Sequence, residues 1–197
     1  MPSIRFFDRL GLFVRPAFLD ANACARMRAE LERAAWKKGT VARVEQLECL
    51  DESVRKVQCV DVTEAMWRGI RSDLLALKPE LEQHFGATLT GCHGPDFLVY
   101  ERGAFYTPHL DSGAHYDERR VSLVVFLNGA SDEQTPDSYS GGELTFHGLL
   151  GGTEWEKCPF PLRGEPGLLV AFRSDIVHEV RPVTFGRRYT IVGWFTA

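Results

Sequence analysis

The sequence predicts a mostly β protein (α+β) in which two helices precede a strand-rich core. After Gly86, short runs with strand character follow one another, and turns that contain glycine or proline separate them. These runs cover residues 87–91, 96–101, 104–110, 121–127, 143–147, 167–172, 177–183 and 188–196. About eight short strands of this kind indicate a sandwich or barrel. We therefore expect a double-stranded β-helix (jelly roll), with two helices from the N-terminal half packed outside the sheet.

The two helices are predicted from apolar residues that recur at helical spacing. Asp20 can cap the first helix, which extends to about Trp36. The second helix begins near Glu64, could divide at Pro79, and ends at Gly86. Apolar stripes at this spacing usually face a core, so we interpret both helices as scaffold.

Further short strands are expected ahead of the core, at residues 12–19, 41–44 and 57–62. A chain of 197 residues, 44% of them hydrophobic, is long enough for one domain with a substantial core. We predict a single domain over residues 1–197, with a helical support region over 1–86 and the jelly-roll core over 87–197.

Composition and charge narrow the classes of partner. The net charge is −4, from 23 basic and 27 acidic residues, and no basic tract favours nucleic-acid binding. No apolar run is long enough to cross a membrane, and charged residues interrupt the first 19 positions, unlike a secretory signal. The five cysteines lack a Cys-x-x-Cys pair, which favours reduced thiols over a zinc site. We expect a cytoplasmic protein without membrane or nucleic-acid partners.

A candidate metal site is predicted at His109 and Asp111, which are separated by one residue. Residues i and i+2 of a strand point to the same face, so this imidazole and this carboxylate converge. His178 can supply a third ligand from far along the chain. Two histidines and one carboxylate that leave other positions open are the ligand set of non-heme iron(II) oxygenases.

Four further motifs accompany this triad. They are Tyr100, Gly103 and Tyr106 ahead of His109; Arg119–Ser122 followed by Phe126-Leu127-Asn128; the run Gly141–Phe146; and Arg188, ten residues beyond His178, followed by Thr190 and Trp194. In combination they resemble the prolyl 4-hydroxylase-like group of iron(II)/2-oxoglutarate oxygenases. The resemblance covers about half of the chain, from Tyr100 to Trp194.

The resemblance implies a role for each matching residue. It implies that His109, Asp111 and His178 bind iron(II), and that Arg188 pairs with the C5 carboxylate of 2-oxoglutarate. It makes Tyr100, Tyr106 and Thr190 candidates to hydrogen-bond this cosubstrate, and Arg119 and Trp194 candidates to contact the substrate. It also implies O2 as the second cosubstrate, succinate and CO2 as products, and L-ascorbate as a candidate accessory cofactor.

Several alternatives stay open beside these roles. Arg187 competes with Arg188 for the carboxylate, although adjacent strand residues face opposite ways and the spacing to His178 favours Arg188. His115 and His147 are rival metal ligands, whereas His84 and His93 lie outside any motif. The three candidate hydroxyl residues and Trp194 could instead be packing residues. Phe126 departs from the family, where many relatives have tyrosine, so one hydroxyl partner of the cosubstrate is missing or supplied elsewhere.

The leading hypothesis for function is a 2-oxoglutarate-dependent dioxygenase that hydroxylates a prolyl residue of a protein or peptide. The first alternative is hydroxylation of a free amino acid or another small metabolite, because the fold alone does not define a substrate. A groove for an extended peptide would involve residues 40–58 and 129–140. A second alternative is a jelly-roll metal-binding protein without oxygenase activity, which would have no need of a cation at Arg188.

Overall fold

The computed structural model describes residues 4–43, 46–113, 115–149 and 158–197, which form four sheets. The two largest sheets face each other, and helices pack against one of them. The helices are α1 Ile4–Arg9, α2 Ala21–Arg33, α3 Glu64–Ala76 and α4 Lys78–Phe85. The strands of the first half are β1 Phe13–Arg15, β2 Trp36–Lys38, β3 Val41–Arg43, β4 Gln46–Cys49, β5 Arg55–Lys56, β6 Gln58–Val60 and β7 Gly91–Tyr100. Those that follow are β8 Phe105–His109, β9 Arg119–Phe126, β10 Gly129–Ala130, β11 Ser138–Gly141, β12 Leu144–Phe146, β13 Phe160–Leu162, β14 Leu169–Arg173, β15 His178–Val180, β16 Val183–Phe185 and β17 Arg188–Thr196.

The helices begin and end where local chemistry satisfies their free backbone groups. The side chain of Asp20 accepts a hydrogen bond from the Ala23 N–H group at the start of α2, as predicted. Gly86 ends α4 in the left-handed conformation, with φ of 62°. Pro79 has no N–H group to continue the hydrogen bonding of α3, so the second predicted helix divides at Leu77 into α3 and α4.

The larger sheet has the strand order β1-β14-β9-β17-β7-β6-β2. Alternate residues of its central strands face opposite ways, so Phe97, Leu123 and Ile191 pack against α2, α3 and α4 in a cluster that includes Leu31 and Leu74. The other face of the same strands turns toward the smaller sheet. The helices therefore cover one face of the larger sheet, and its other face lines the interior of the jelly roll.

The smaller sheet has the order β13-β12-β15-β8-β5, and its strands pair in antiparallel fashion. Leu144, Phe146 and Leu162 of this sheet pack with Val124 and Phe172 of the larger one. Two sheets with a shared interior and helices outside confirm the predicted mostly β jelly-roll fold.

The structure differs from the predicted elements in detail. Helix α1 was not predicted, and the first long helix ends at Arg33 because Trp36 begins a strand paired with β6. The predicted strand 177–183 is divided into β15 and β16. Residues before position 87 supply β1, β2, β5 and β6 to the two sheets in addition to the helices. Within the described residues, no helix is long and apolar enough to cross a bilayer.

Candidate metal and cosubstrate site

Strand pairing brings the three predicted metal ligands together. His109, the last residue of β8, lies directly opposite His178, the first residue of β15. Asp111 follows β8, where its backbone N–H group donates to the carbonyl of Ser174 at 3.0 Å. One ligand atom from each of the three residues lies within 4.8 Å of the others. The cluster therefore depends on one cross-strand pair and one short turn.

Backbone carbonyls orient both imidazoles. Nδ1 of His109 donates to the carbonyl of Thr107 at 2.8 Å, and Nδ1 of His178 donates to that of Ile176 at 3.0 Å. These acceptors assign the ring proton to Nδ1 and leave the lone pair of each Nε2 free. Nε2 of His109 lies 3.7 Å from Oδ1 of Asp111, and Nε2 of His178 lies 3.5 Å from Oδ2. Both free lone pairs are directed toward the carboxylate, as one shared cation requires.

The electrostatics of the cluster favour the protonation states that bind a metal. Burial, followed by the neighbouring His178, lowers the pKa of His109 well below its usual range. Burial alone would raise the pKa of Asp111, but His178, His109 and hydrogen bonds from Ser122 and Trp194 lower it overall. A neutral imidazole beside an ionised carboxylate is the donor state that a divalent transition metal needs. The residues present thus fit iron(II).

Arg188 is a buried cation with few partners. Its side chain is 1% exposed, and its guanidinium lies over the rings of Tyr100 and Phe126, each at 5.0 Å. Nη1 donates to the hydroxyl of Thr190 at 3.3 Å, while Nε and Nη2 have no hydrogen-bond partner among the described residues. Uncompensated buried charge is costly, so this side chain suits an anionic ligand.

An inner cavity between the two sheets connects Arg188 to the metal cluster. Its walls include all three cluster residues and the inward face of β17, which carries Arg188, Thr190, Val192 and Trp194. Tyr100 and Tyr106 also line it. The ring of Tyr106 stacks on that of His109 with 3.5 Å between centroids, and burial raises the pKa of Tyr106 to about 12, so its hydroxyl stays protonated. The predicted cosubstrate residues therefore share one cavity with the metal cluster.

An outer cleft of about 1200 Å³ opens from the other side of the cluster. Arg119 lies on its wall between the rings of Tyr116 and Trp194, at 3.6 and 3.9 Å from their centroids. Nη1 of Arg119 donates to the backbone carbonyl of Asp111 at 3.4 Å. The two predicted substrate residues thus form one stacked unit beside the metal cluster.

Arg55 is a candidate site residue that the sequence analysis did not identify. It lies on β5, lines both the inner cavity and the outer cleft, and places its guanidinium 4.9 Å from the ring centroid of Tyr106. Nη1 donates to the carbonyl of Thr40 at 2.6 Å, but Nε has no partner within the described residues. No local motif could have identified it, because its position depends on the pairing of β5 with β8.

The rival residues lie outside the cluster. His147 pairs with Glu179 at 3.2 Å, and the imidazoles of His84 and His93 lie near Asp8 and Glu118, at 3.9 and 3.8 Å respectively. His115 is exposed and is not part of the three-residue cluster found in the described part of the chain.

Arg187 points away from the inner cavity. Its guanidinium lies 5.2 Å from the ring centroid of Trp36 and 3.4 Å from the carboxylate of Glu101. This outward orientation leaves Arg188 as the arginine of the pair that lines the cavity.

A family model described as the 2OG-Fe(II) oxygenase superfamily matches residues 95–196. Among curated proteins, a PKHD-type hydroxylase of Escherichia coli O1:K1 / APEC is 28% identical over 180 residues, which cover 91% of this chain and 75% of that protein. A PKHD-type hydroxylase of Maricaulis maris (strain MCS10) is 35% identical over 96 residues, or 48% of this chain and 38% of that protein.

Solved structures show the same fold. A prolyl-4-hydroxylase of Pseudomonas putida has a TM-score of 0.71 and 27% identity, with 98% of this chain and 97% of that chain covered. A prolyl hydroxylase of Trichoplax adhaerens, solved with a peptide fragment of the hypoxia inducible factor oxygen degradation domain, has a TM-score of 0.74 and 18% identity. The match covers 98% of this chain and 86% of the Trichoplax adhaerens chain. These matches extend well beyond the stretch that carries the motifs.

Proposed function

The chain belongs to the 2OG-Fe(II) oxygenase superfamily, and on that premise we propose that it hydroxylates a prolyl residue of a protein or peptide. Its relatives support a 2-oxoglutarate-dependent dioxygenase that uses iron(II), 2-oxoglutarate and O2. The residue roles and the prolyl substrate are the proposal developed below.

The proposed iron(II) ligands are His109, Asp111 and His178. Both histidines have the tautomer fixed by a backbone carbonyl, so each offers Nε2 to the cation without rearrangement. When bound, iron(II) and 2-oxoglutarate activate O2, so that one oxygen atom enters succinate and the other enters the substrate. The protein's part is to hold three ligands on one side and leave the other side open to the inner cavity and the outer cleft.

The proposed partner of the 2-oxoglutarate C5 carboxylate is Arg188. This residue is the main reason for proposing that 2-oxoglutarate binds in the inner cavity. Two of its nitrogens are buried without a partner, and a guanidinium can meet a carboxylate with two parallel hydrogen bonds. Thr190, Tyr100 and Tyr106 line the same cavity and are proposed to contact the cosubstrate.

The outer cleft supports a polypeptide substrate. Its volume of about 1200 Å³ exceeds the range of roughly 300–1,000 Å³ that is usual for small-molecule pockets. Thr40, Val54 and Arg55 from the predicted groove segment 40–58 line it, whereas residues 129–140 are not among its described walls. The similar structures from Pseudomonas putida and Trichoplax adhaerens are prolyl hydroxylases, and the second contains a peptide.

Within this cleft Arg55 and Arg119 are proposed to bind backbone carbonyls of the substrate. Each guanidinium has a buried Nε without a hydrogen-bond partner in the described residues, and each is held against aromatic rings. A cation fixed in this way can donate without losing much side-chain freedom. Trp194 is proposed to supply the apolar wall that a pyrrolidine ring would contact.

The test is an activity screen with purified protein, iron(II), 2-oxoglutarate and air, with and without L-ascorbate. Proline-containing peptides are compared with matched peptides in which alanine replaces proline, and with free amino acids. We expect succinate in proportion to a product heavier by one oxygen atom on proline, and neither in the His109→Ala variant.

Each other outcome has a definite meaning. Hydroxylation of free amino acids but of no peptide would replace the proposal with the small-metabolite alternative. Metal binding with no binding of 2-oxoglutarate would contradict the proposed roles of the inner cavity.

A further inference from the structure

The ring of Phe126 lies against Arg188, the proposed partner of the cosubstrate carboxylate, and carries no hydroxyl group. Its centroid is 5.0 Å from the guanidinium carbon of Arg188. The side chain is fully buried, so water from bulk solvent does not reach this position. A carboxylate next to Arg188 would therefore meet an apolar edge unless another residue supplies a donor.

Tyr139 lies beside both Phe126 and Arg188. A Cβ atom built on Gly164 would fall 2.3 Å from Cδ1 of Phe126 and 2.4 Å from the hydroxyl oxygen of Tyr139. The Phe126 ring and the Tyr139 hydroxyl are therefore close neighbours. A Cβ atom built on Gly142 would fall 3.1 Å from Cδ of Arg188 and 3.3 Å from Cε2 of Tyr139. Two glycines thus make room for the phenol ring, which approaches Arg188 from β11.

The hydroxyl of Tyr139 is buried and has no hydrogen-bond partner in the described part of the chain. Burial raises its pKa, so it stays protonated, and the nearby Arg188 charge and Gly164 N–H group offset this only in part. Both groups lie near enough to lower the pKa of the hydroxyl, but neither has the distance and angle of a hydrogen bond to its oxygen. Buried hydroxyl groups are normally paired, so this one requires a partner.

We propose that the Tyr139 hydroxyl donates a hydrogen bond to the C5 carboxylate of 2-oxoglutarate and thereby supplies the hydroxyl group that Phe126 lacks. The inference rests on the proposed function of Arg188. Together the Tyr139 hydroxyl and the Nε and Nη2 atoms of Arg188 are three buried donors that have no partner among the described residues. The two oxygens of a carboxylate offer four lone-pair positions, which is enough for all three.

Two other buried hydroxyl residues suit this role less well. Tyr100 lies on β7 and presents its ring face to the Arg188 guanidinium at 5.0 Å. Thr145 also has an unpaired hydroxyl, but its neighbours Leu144 and Phe146 pack in the sheet interior, so Thr145 faces the opposite way.

The experiment measures 2-oxoglutarate affinity by titration calorimetry on anaerobic iron(II)-loaded protein. Tyr139→Phe removes only the hydroxyl oxygen, and we expect binding to weaken about 10- to 100-fold, the range for one hydrogen bond to a charged group. The same titration with 2-oxopentanoate, which lacks the C5 carboxylate, should not distinguish Tyr139→Phe from the unmodified protein. Adding Phe126→Tyr to Tyr139→Phe should restore most of the lost affinity.

Three results would overturn the inference. The first is Tyr139→Phe affinity within about twofold of the unmodified protein, less than the smallest loss expected from one hydrogen bond to a charged group. The second is an equal loss for 2-oxopentanoate, which would mean that the hydroxyl only supports packing. The third is failure of Phe126→Tyr to restore binding to the Tyr139→Phe variant. That result would mean that a hydroxyl at position 126 cannot take over the role proposed for the Tyr139 hydroxyl.

Failure of the underlying function has a different signature. If the unmodified protein does not bind 2-oxoglutarate, or if Arg188→Met binds it equally well, the proposed role of Arg188 fails and Tyr139 fails with it. If Arg188→Met loses binding while Tyr139→Phe does not, only the role of Tyr139 is wrong.

Discussion

Replacing Arg188 with methionine should weaken cosubstrate binding without lowering the stability of the ligand-free protein. Nε and Nη2 of Arg188 are buried donors without partners in the described structure. A hydrogen bond to a charged group contributes about 1.5–3 kcal/mol, so two of them contribute roughly 3–6 kcal/mol to 2-oxoglutarate binding. We therefore expect Arg188→Met to raise the Kd for 2-oxoglutarate by about 10²- to 10⁴-fold.

The free protein should not lose stability from the same change. The guanidinium contacts the rings of Tyr100 and Phe126, and such contacts contribute about 2 kcal/mol each when they are desolvated. Burial of an ion without a counter-charge costs several kcal/mol, and methionine fills similar space without that cost. We expect the free energy of unfolding of Arg188→Met, measured in urea without ligand, to equal or exceed that of the unmodified protein.

Arg187→Met is the matched control. Arg187 is an exposed neighbour in an ion pair with Glu101, and exposed pairs of this kind contribute about 0–1 kcal/mol. Its replacement should leave the Kd for 2-oxoglutarate unchanged. The reasoning would be refuted if Arg188→Met bound 2-oxoglutarate normally, or if its ligand-free form unfolded at a markedly lower urea concentration than the control.

Three further predictions concern the metal, the substrate and the scaffold. Asp111→Ala should abolish tight iron(II) binding in a calorimetric titration, while His147→Ala should retain it; loss in both variants would mean that the ligands are wrongly assigned. Arg119→Lys should raise the KM for a peptide substrate about tenfold, as expected if one charge-assisted hydrogen bond is lost, and leave the Kd for 2-oxoglutarate unchanged. The exposed Arg120→Lys is its control, and an equal rise in KM there would exclude a specific contact. Leu74→Ala should lower the free energy of unfolding by about 2–5 kcal/mol, because Leu74 is fully buried between helix and sheet. The Kd for 2-oxoglutarate of the folded variant should stay unchanged. A loss of affinity would show that the helices influence the site directly.

The sequence predicted the parts of the site that depend on local spacing. His109 and Asp111 are close because only one residue separates them, although Asp111 follows β8 in a turn and does not continue the strand. Strand alternation allows only one of Arg187 and Arg188 to face the cavity, and the spacing to His178 favoured Arg188. These residues also belong to motifs that continue through the core strands. The family resemblance therefore included His178 as the third metal ligand.

Two residues that long-range contacts place near the cavity, Arg55 and Tyr139, were not predicted. Arg55 reaches the cavity because β5 pairs with β8 across more than forty residues of chain. Tyr139 lies in a short strand whose polar, glycine-rich surroundings lack strand periodicity, so it was not assigned to any element. Neither residue has a neighbour in sequence that indicates its chemistry. Their positions are properties of the assembled sheets, which single-sequence patterns do not encode.

The two faces of β17 restrict how this chain can vary. Arg188 and Thr190 line the cavity, while Tyr189 and Ile191 pack in the cluster beneath the helices. A one-residue insertion or deletion between these positions would exchange the two sets and expose the helix-packing residues to the cavity. One-residue length changes are therefore disfavoured here, whereas point substitutions can act on one face at a time. Leu110 and Ser112 of the outer cleft lie outside the strands, so substrate preference can diverge there while cosubstrate chemistry is retained.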